Sequence, residues 1–307
     1  MRHMKAVVSE WVELAQVLLY LSDRQEKVVQ HLGNKAYAGA ITEFFLPYKN
    51  HKAVAITQKL IDENNFIHTK PLRAILSLEQ ILTDKGHSLN EWAASVKDFI
   101  DDAHFHTFYL NQSGYYSWIL ENLKQCDFDV WIAYVEQYFR QKPDAFSLII
   151  CPIAGNYGFN LGNTSYTVRC MPYYDENQNP KWQFDFFAKG IAHEYAHCFV
   201  NPTVESHKSI LKDSGEFFES HKNMPKAYNL DYAVMNEYWV RAFAIRFMEQ
   251  NQRIFPDFDI EAEYCRQREA FIYIDRFVEL LKEFEQSGLC FEEFYINAVK
   301  RLFDDND

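Results

Sequence analysis

Five consecutive residues, His193-Glu194-Tyr195-Ala196-His197, spell an HExxH string. Two histidines four apart on an α-helix are rotated by about 400°, so they stand about 40° apart around the axis. Both imidazoles can therefore reach one metal ion. The glutamate sits a step aside, where it can act on a water held by the ion rather than on the ion itself. Zinc suits imidazole nitrogen, keeps a coordination position open and lowers the pKa of its water. The neighbouring residues favour a helix: Phe186-Phe187-Ala188 precede the string and Cys198-Phe199-Val200 follow it. A helix that is apolar on nearly every side is a buried one, which two ordinary surface histidines would not need. Ala192 and Ala196 would let another element approach closely, and Gly190 would do the same near the histidine face.

A catalytic zinc normally takes three protein ligands, so one must come from another element. The leading candidate is Glu237, in the stretch Leu230 to Phe247, which is apolar nearly all round. A carboxylate in such a helix is expected to be buried, and a buried charge needs a partner. Zinc is one partner; Arg241, one helical turn later, is the alternative. Both can hold if Arg241 orients the ligand. Glu205, His207 and His221 are weaker ligand candidates beyond the Asn201-Pro202 step.

The elements that must place these residues fall into two patterns. From residue 5 to about 142 the spacing is helical, beginning with Trp11, Leu14, Ala15, Val17, Leu18 and Leu21 in a first amphipathic helix. Further helices are expected at 36–47, 52–63, 70–84, 89–106, 114–124 and 128–141, with breaks at Gly33, 47–50, Gly86 and Asp127. Near residue 145 the pattern changes. Phe146 to Cys151 and Thr164 to Cys170 read as strands, with 155–160 between them as a loop or a bent edge strand, and 173–181 as a polar turn. Helices are then expected at 182–200, stopping at Asn201-Pro202, and at about 204–221, 230–250, 259–286 and 291–303. The fold class is mainly α with a small β-sheet: a helical region over 1–142 and a metal-binding region with C-terminal helices over 143–307. No long Ser/Gly/Pro linker separates them, so they are expected to form one packed body.

Composition removes several classes of function. The net charge of −12 disfavours general binding to phosphate backbones and to anionic membrane surfaces. No apolar run is long enough for a membrane-spanning helix. The N-terminus reads as a helix rather than an export signal, which places the chain in the cytoplasm as it stands, or outside it if a leader has been removed. With 10 Gly and 9 Pro, tight turns are scarce, whereas 26 Phe and 19 Tyr supply an aromatic core. The six cysteines contain no CxxC pair and are expected to be reduced packing residues.

The HExxH string with a glutamate on a later helix resembles the gluzincin metallopeptidases. Asn236-Glu237 matches the start of an NExxxD-like string seen in that group, although Arg241 stands where its aspartate would be. The metzincin pattern HExxHxxGxxH is absent, because Val200 and Thr203 occupy its glycine and third-histidine positions. More narrowly, HEYAHCFVNP at 193–202 together with IICPIAGNYGFN at 149–160 resembles the bacterial domain of unknown function 4932. This resemblance implies a zincin-like central sheet, one Zn²⁺ per chain on His193, His197 and Glu237, and Glu194 as the base that activates a zinc-held water against a peptide bond. Tyr228, Tyr232, Tyr238, Arg241 and His207 are then candidates to steady the carbonyl oxygen. Gly155, Asn156, Tyr157 and Gly158 are candidates for an edge strand that pairs with an extended peptide or protein substrate. A plain hairpin loop is the alternative for those four. His51 is a weaker candidate contact. Two other readings stay open: a catalytically silent zinc-containing helical binding protein, and a metal-free interaction module.

Overall fold

The computed structural model describes residues 5–22, 34–63, 70–77, 87–153, 156–214, 217–218 and 230–304. Among them the chain forms thirteen α-helices and a mixed sheet of four strands, as the mainly α reading expects.

The first element among the described residues is a short strand rather than a helix. Strand β1 (Ala6–Val7) pairs in parallel with β2 (Ala145–Ile150), Ala6 opposite Leu148 and Val7 opposite Ile149. Helix α1 (Glu10–Leu21) begins only afterwards, because Ser9 accepts a hydrogen bond from the Val12 amide and caps it. Its buried side carries Val12, Leu14, Ala15, Val17, Leu18 and Leu21, whereas Trp11 faces solvent. Among the described residues of the first region seven further helices follow: α2 (Lys35–Phe45), α3 (Lys52–Asp62), α4 (Lys70–Leu76), α5 (His87–Asp102), α6 (Phe105–Asn111), α7 (Ser113–Leu123) and α8 (Phe128–Phe139). Asp127 caps α8 through the Val130 amide, so the residue read as a break is a helix start.

The sheet runs in the order β1-β2-β4-β3, with β3 (Asn156–Leu161) antiparallel to β4 (Thr164–Arg169) at the edge. Because β1 comes from the first region and β2 to β4 from the second, the sheet crosses the division at 142/143. One continuous apolar core spans both regions, from Val12 and Phe45 through Phe139 to Trp239 and Phe277. The polar stretch 173–181 is a small hairpin, β5 (Tyr173–Tyr174) with β6 (Pro180–Lys181), rather than a simple turn.

The helix carrying HExxH corrects the sequence reading. Helix α9 spans Phe184–Ser206, so it runs straight through Asn201-Pro202. Proline has no amide hydrogen to offer the carbonyl four residues back, which here belongs to Cys198. That carbonyl instead accepts from Asn160 Nδ2 on β3 at 2.7 Å, and Ser165 Oγ donates to Asn160 Oδ1 at 2.7 Å. The sheet thus supplies the bond the helix lacks. The segment after α9 is a 3₁₀ turn at Lys208–Asp213, not the long helix expected over 204–221, much of which lies outside the described residues.

Helix α10 (Asp231–Gln250) lies beside α9, and α11 (Ile260–Arg268), α12 (Ile274–Ser287) and α13 (Phe291–Asp304) follow. The single helix expected over 259–286 is two, broken between Arg268 and Ile274. Among the described residues, no helix is long and apolar enough to cross a membrane. The six cysteines are unpaired; Cys151, Cys170 and Cys198 are buried, Cys126 and Cys290 partly so, and Cys265 departs from the packing role because it is exposed.

Candidate metal centre

Helix α9 is held from two sides. On one side β3 presses so closely that a Cβ at Gly158 would sit 1.5 Å from the Glu194 carbonyl oxygen. Glycine is required there to let the strand touch the helix backbone at the motif itself. On the other side lies α10, running in the opposite direction. Glu237 meets His193 and His197, while Arg241 and Ala244, further along α10, share a cavity wall with Gly190 and Phe186, earlier along α9.

Three ligand-type atoms converge in this groove, one each from His193, His197 and Glu237, all within 4.8 Å of one another. Glu237 Oε2 is 3.9 Å from His193 Nε2, and Glu237 Oε1 is 3.6 Å from His197 Nε2. Bonds of about 2.1 Å in a tetrahedral arrangement would put ligand atoms about 3.4 Å apart, so the spacing fits a zinc ion without large movement. The protonation states also suit a metal. Burial, and then the neighbouring His197, holds the His193 pKa well below the ordinary histidine value, which keeps its imidazole neutral. His197 Nδ1 lies 2.9 Å from Asn201 Oδ1. An amide oxygen only accepts, so Nδ1 carries the proton and the Nε2 lone pair points to the groove.

Glu237 does not choose between its two expected partners. Its Oε2 also accepts from Arg241 Nε at 2.8 Å, so Arg241 steadies the carboxylate that faces the histidines. Arg241 is fixed in turn: Nη1 donates to Gln267 Oε1 at 3.0 Å and the guanidinium lies 4.3 Å over the Phe271 ring. Gln267 Nε2 donates to Glu263 Oε1 at 2.7 Å, and Lys189 Nζ is 2.7 Å from the same oxygen.

Glu194 is buried at the base of the groove, and burial raises its pKa against the opposing pull of His197 and then Arg169. Arg169, the last residue of β4, brings Nη1 to 3.8 Å from Glu194 Oε1 and donates from Nη2 to the Tyr173 hydroxyl at 3.2 Å. Gly190 makes room for it, since a Cβ there would lie 2.0 Å from Arg169 Nη2. The close approach expected at Gly190 is therefore by an arginine side chain. A cavity of about 250 Å³ opens beside His193, walled by Arg169, Tyr173, Lys189, Gly190, Arg241 and Gln267.

Several sequence candidates lie elsewhere. Tyr238 is wholly buried on the far side of α10, stacked on Phe277 at 4.5 Å, with its hydroxyl accepting from the Tyr273 amide. It follows Glu237 by one residue and so points about 100° away. His207 ends α9, where Nδ1 lies 3.0 Å from the Thr203 carbonyl and Nε2 3.4 Å from Glu292. Tyr232 packs part-buried against the core, five residues before Glu237. His51 caps α3 through the Ala53 amide and lies 3.4 Å from Asp102. Gly155, Tyr228 and His221 lie outside the described residues. Asn156, Tyr157 and Gly158 do form an edge strand rather than a plain loop, but the α-carbon face of Gly158 is occupied by α9, so a peptide could approach only along the outer edge of β3.

Arg169, Tyr173 and Asn201 were not singled out from the sequence. Asn201 carried a usable signal, its i, i+4 spacing from His197. Arg169 carried a weaker one, a charge closing an otherwise apolar strand end.

Residues 72–300 match the family described as Domain of unknown function (DUF4932). No curated protein and no solved structure matches the chain.

Proposed function

We propose that this chain, which belongs to the DUF4932 family, is a zinc-dependent hydrolase, and specifically a metallopeptidase of gluzincin-like design. The observation that carries the reading is the convergence of His193, His197 and Glu237 with a buried Glu194 beside them and a cavity in front. A bound zinc would supply a Lewis acid for a carbonyl oxygen and would acidify a water in the groove. The chain's own groups do the rest. Asn201 sets the His197 tautomer, and Arg241 fixes the Glu237 carboxylate. Glu194 takes the proton from the attacking water and returns it to the leaving amine. Its position next to His193 and His197 in sequence, and its burial, suit a base more than a structural ligand. A peptide or protein substrate would lie along the outer edge of β3, by backbone hydrogen bonds.

A second reading, a catalytically silent zinc-containing binding protein, draws on Arg169 lying 3.8 Å from Glu194, where it could hold the base as an ion pair. One comparison decides between them. The full chain purified without added metal should carry about one zinc, and Glu194→Gln should keep that zinc while losing hydrolysis of a peptide mixture. Equal hydrolysis by both proteins would end the proposed mechanism. Zinc without hydrolysis by either would favour the binding protein. Absence of zinc from purified and reconstituted protein alike would remove both.

A further inference from the structure

Arg169 is nine-tenths buried, and among the described residues its counter-ion is Glu194, in an ion pair with no hydrogen bond. The nearest carboxylate oxygen, on Glu194, is 3.8 Å away, beyond hydrogen-bond length. Among the described residues its one hydrogen bond to a side chain goes to a neutral phenol, Tyr173, and its Nε has no hydrogen-bond partner. The other two cations on the cavity wall are committed: Lys189 to Glu263 and Arg241 to Glu237 and Gln267. A buried guanidinium left in this state is costly unless something anionic completes it.

The charge balance points the same way. Arg169, Lys189, Arg241 and Arg266 oppose Glu194, Glu237 and Glu263, four against three, before any metal enters. A divalent ion would leave the groove three charges positive in a chain whose net charge is −12. Gly190 leaves room for the guanidinium, because a Cβ there would lie 2.0 Å from Arg169 Nη2 and force it to shift. The planar fork of arginine matches a carboxylate with two parallel hydrogen bonds.

We propose that the cavity beside His193 is a carboxylate-binding subsite, with Arg169 as its anchor, and that the substrates are peptides presenting a carboxylate one position from the cleaved bond. Two sources share that chemistry: the terminal carboxylate of a peptide and the side chain of an internal Asp or Glu. The label of substrate rests on the hydrolase reading; the binding site itself does not.

The test titrates the zinc-loaded full chain with three blocked dipeptides by calorimetry: acetyl-Ala-Phe acid, acetyl-Ala-Phe amide and acetyl-Ala-Glu amide. At least one carboxylate-bearing probe should bind about tenfold or more tightly than the neutral amide. Preference for the acid alone identifies the terminal carboxylate, and preference for the Glu amide alone identifies the side chain. Arg169→Gln should erase the preference and Arg169→Lys should restore part of it, with zinc content and circular dichroism checked for each. Gly190→Ala, which keeps every charge but crowds the guanidinium, should erase it independently. Equal affinity for all three probes, no binding by any, or a preference that survives both Arg169→Gln and Gly190→Ala would overturn the subsite. A preserved preference without turnover of any peptide would sink the hydrolase reading and leave the subsite standing; turnover without preference would do the reverse.

Discussion

Glu13 in the first region and Glu194 in the second are both carboxylates taken out of water, 1% and 7% exposed. Burial raises the pKa of each. Their surroundings then diverge. Glu13 sits on α1 among neutral hydroxyls: Tyr37 donates to it at 2.6 Å and shares a 2.8 Å bond with Tyr116. The Tyr37 bond and the Cys151 thiol only partly offset desolvation, so its pKa is pushed up to about 7. Glu194 faces His197 and Arg169, and Arg169 lines a cavity that reaches His193. The difference teaches that burial alone makes a carboxyl group protonated and structural. A neighbouring cation that itself lines a ligand-sized space is what sets Glu194 apart and suits it to the proposed proton transfer.

The sharpest way to break this contrast is to make the same change in both places. Glu194→Gln is expected to lower peptide hydrolysis by about 10²–10⁴-fold, whereas Glu13→Gln should leave it within about twofold, measured on equal amounts of zinc-loaded protein. Similar losses in both variants would mean that the two sites do not differ in kind.

The second prediction is a pH dependence belonging to Glu13. Its folded pKa of about 7 lies above its ordinary value of 4.5. The folded chain therefore holds the proton more tightly than the unfolded chain. Below the lower value both states are protonated and nothing is lost. As pH rises from 4.5 to about 7 the unfolded chain ionises first, so stability should fall by about 3 kcal/mol and then level off. Glu13→Gln should flatten that part of the profile in urea unfolding at pH 5 and pH 8; an unchanged slope would assign the dependence to other groups.

Two smaller effects sharpen the second region. Asn201→Ala removes the acceptor that orients His197 and should weaken zinc affinity about 10–100-fold in a chelator competition. Asn160→Ala leaves the Cys198 carbonyl without its donor from β3 and should cost about 1–3 kcal/mol of stability. Zinc affinity should stay nearly constant in that variant, since Asn160 touches the helix backbone and none of the three ligand side chains.

The readable parts of the site were those whose logic is local. His193, Glu194 and His197 fall within five residues, and helical geometry alone puts the two rings together. Glu237 was legible because a carboxylate on a helix that is apolar all round needs a partner, whatever that partner is. The mistaken tyrosine, Tyr238, shows the limit. Its closeness to Glu237 in sequence said nothing about which side of α10 it would occupy, and the packing against Phe277 decided that. Arg169 and Tyr173 were missed because their roles depend on where β4 and the following hairpin end relative to α9.

Pro202 marks the same boundary between levels. By itself a proline after asparagine reads as a helix stop, since an amide hydrogen is gone and a carbonyl is orphaned. The helix continues because Asn160, thirty-eight residues before Cys198, supplies the missing donor to its carbonyl.

Composition and periodicity alone determined that the chain is mainly helical with a small sheet, and the five-residue motif determined which helix could grip a metal. Tertiary structure alone decided that Glu237 meets both imidazoles, that Asn201 holds His197 and Arg241 holds Glu237, and that Arg169 lies buried beside Glu194. The reason is range: helical pitch acts over four residues and is written in the sequence, whereas desolvation and ion pairing depend on which distant side chains share a cavity.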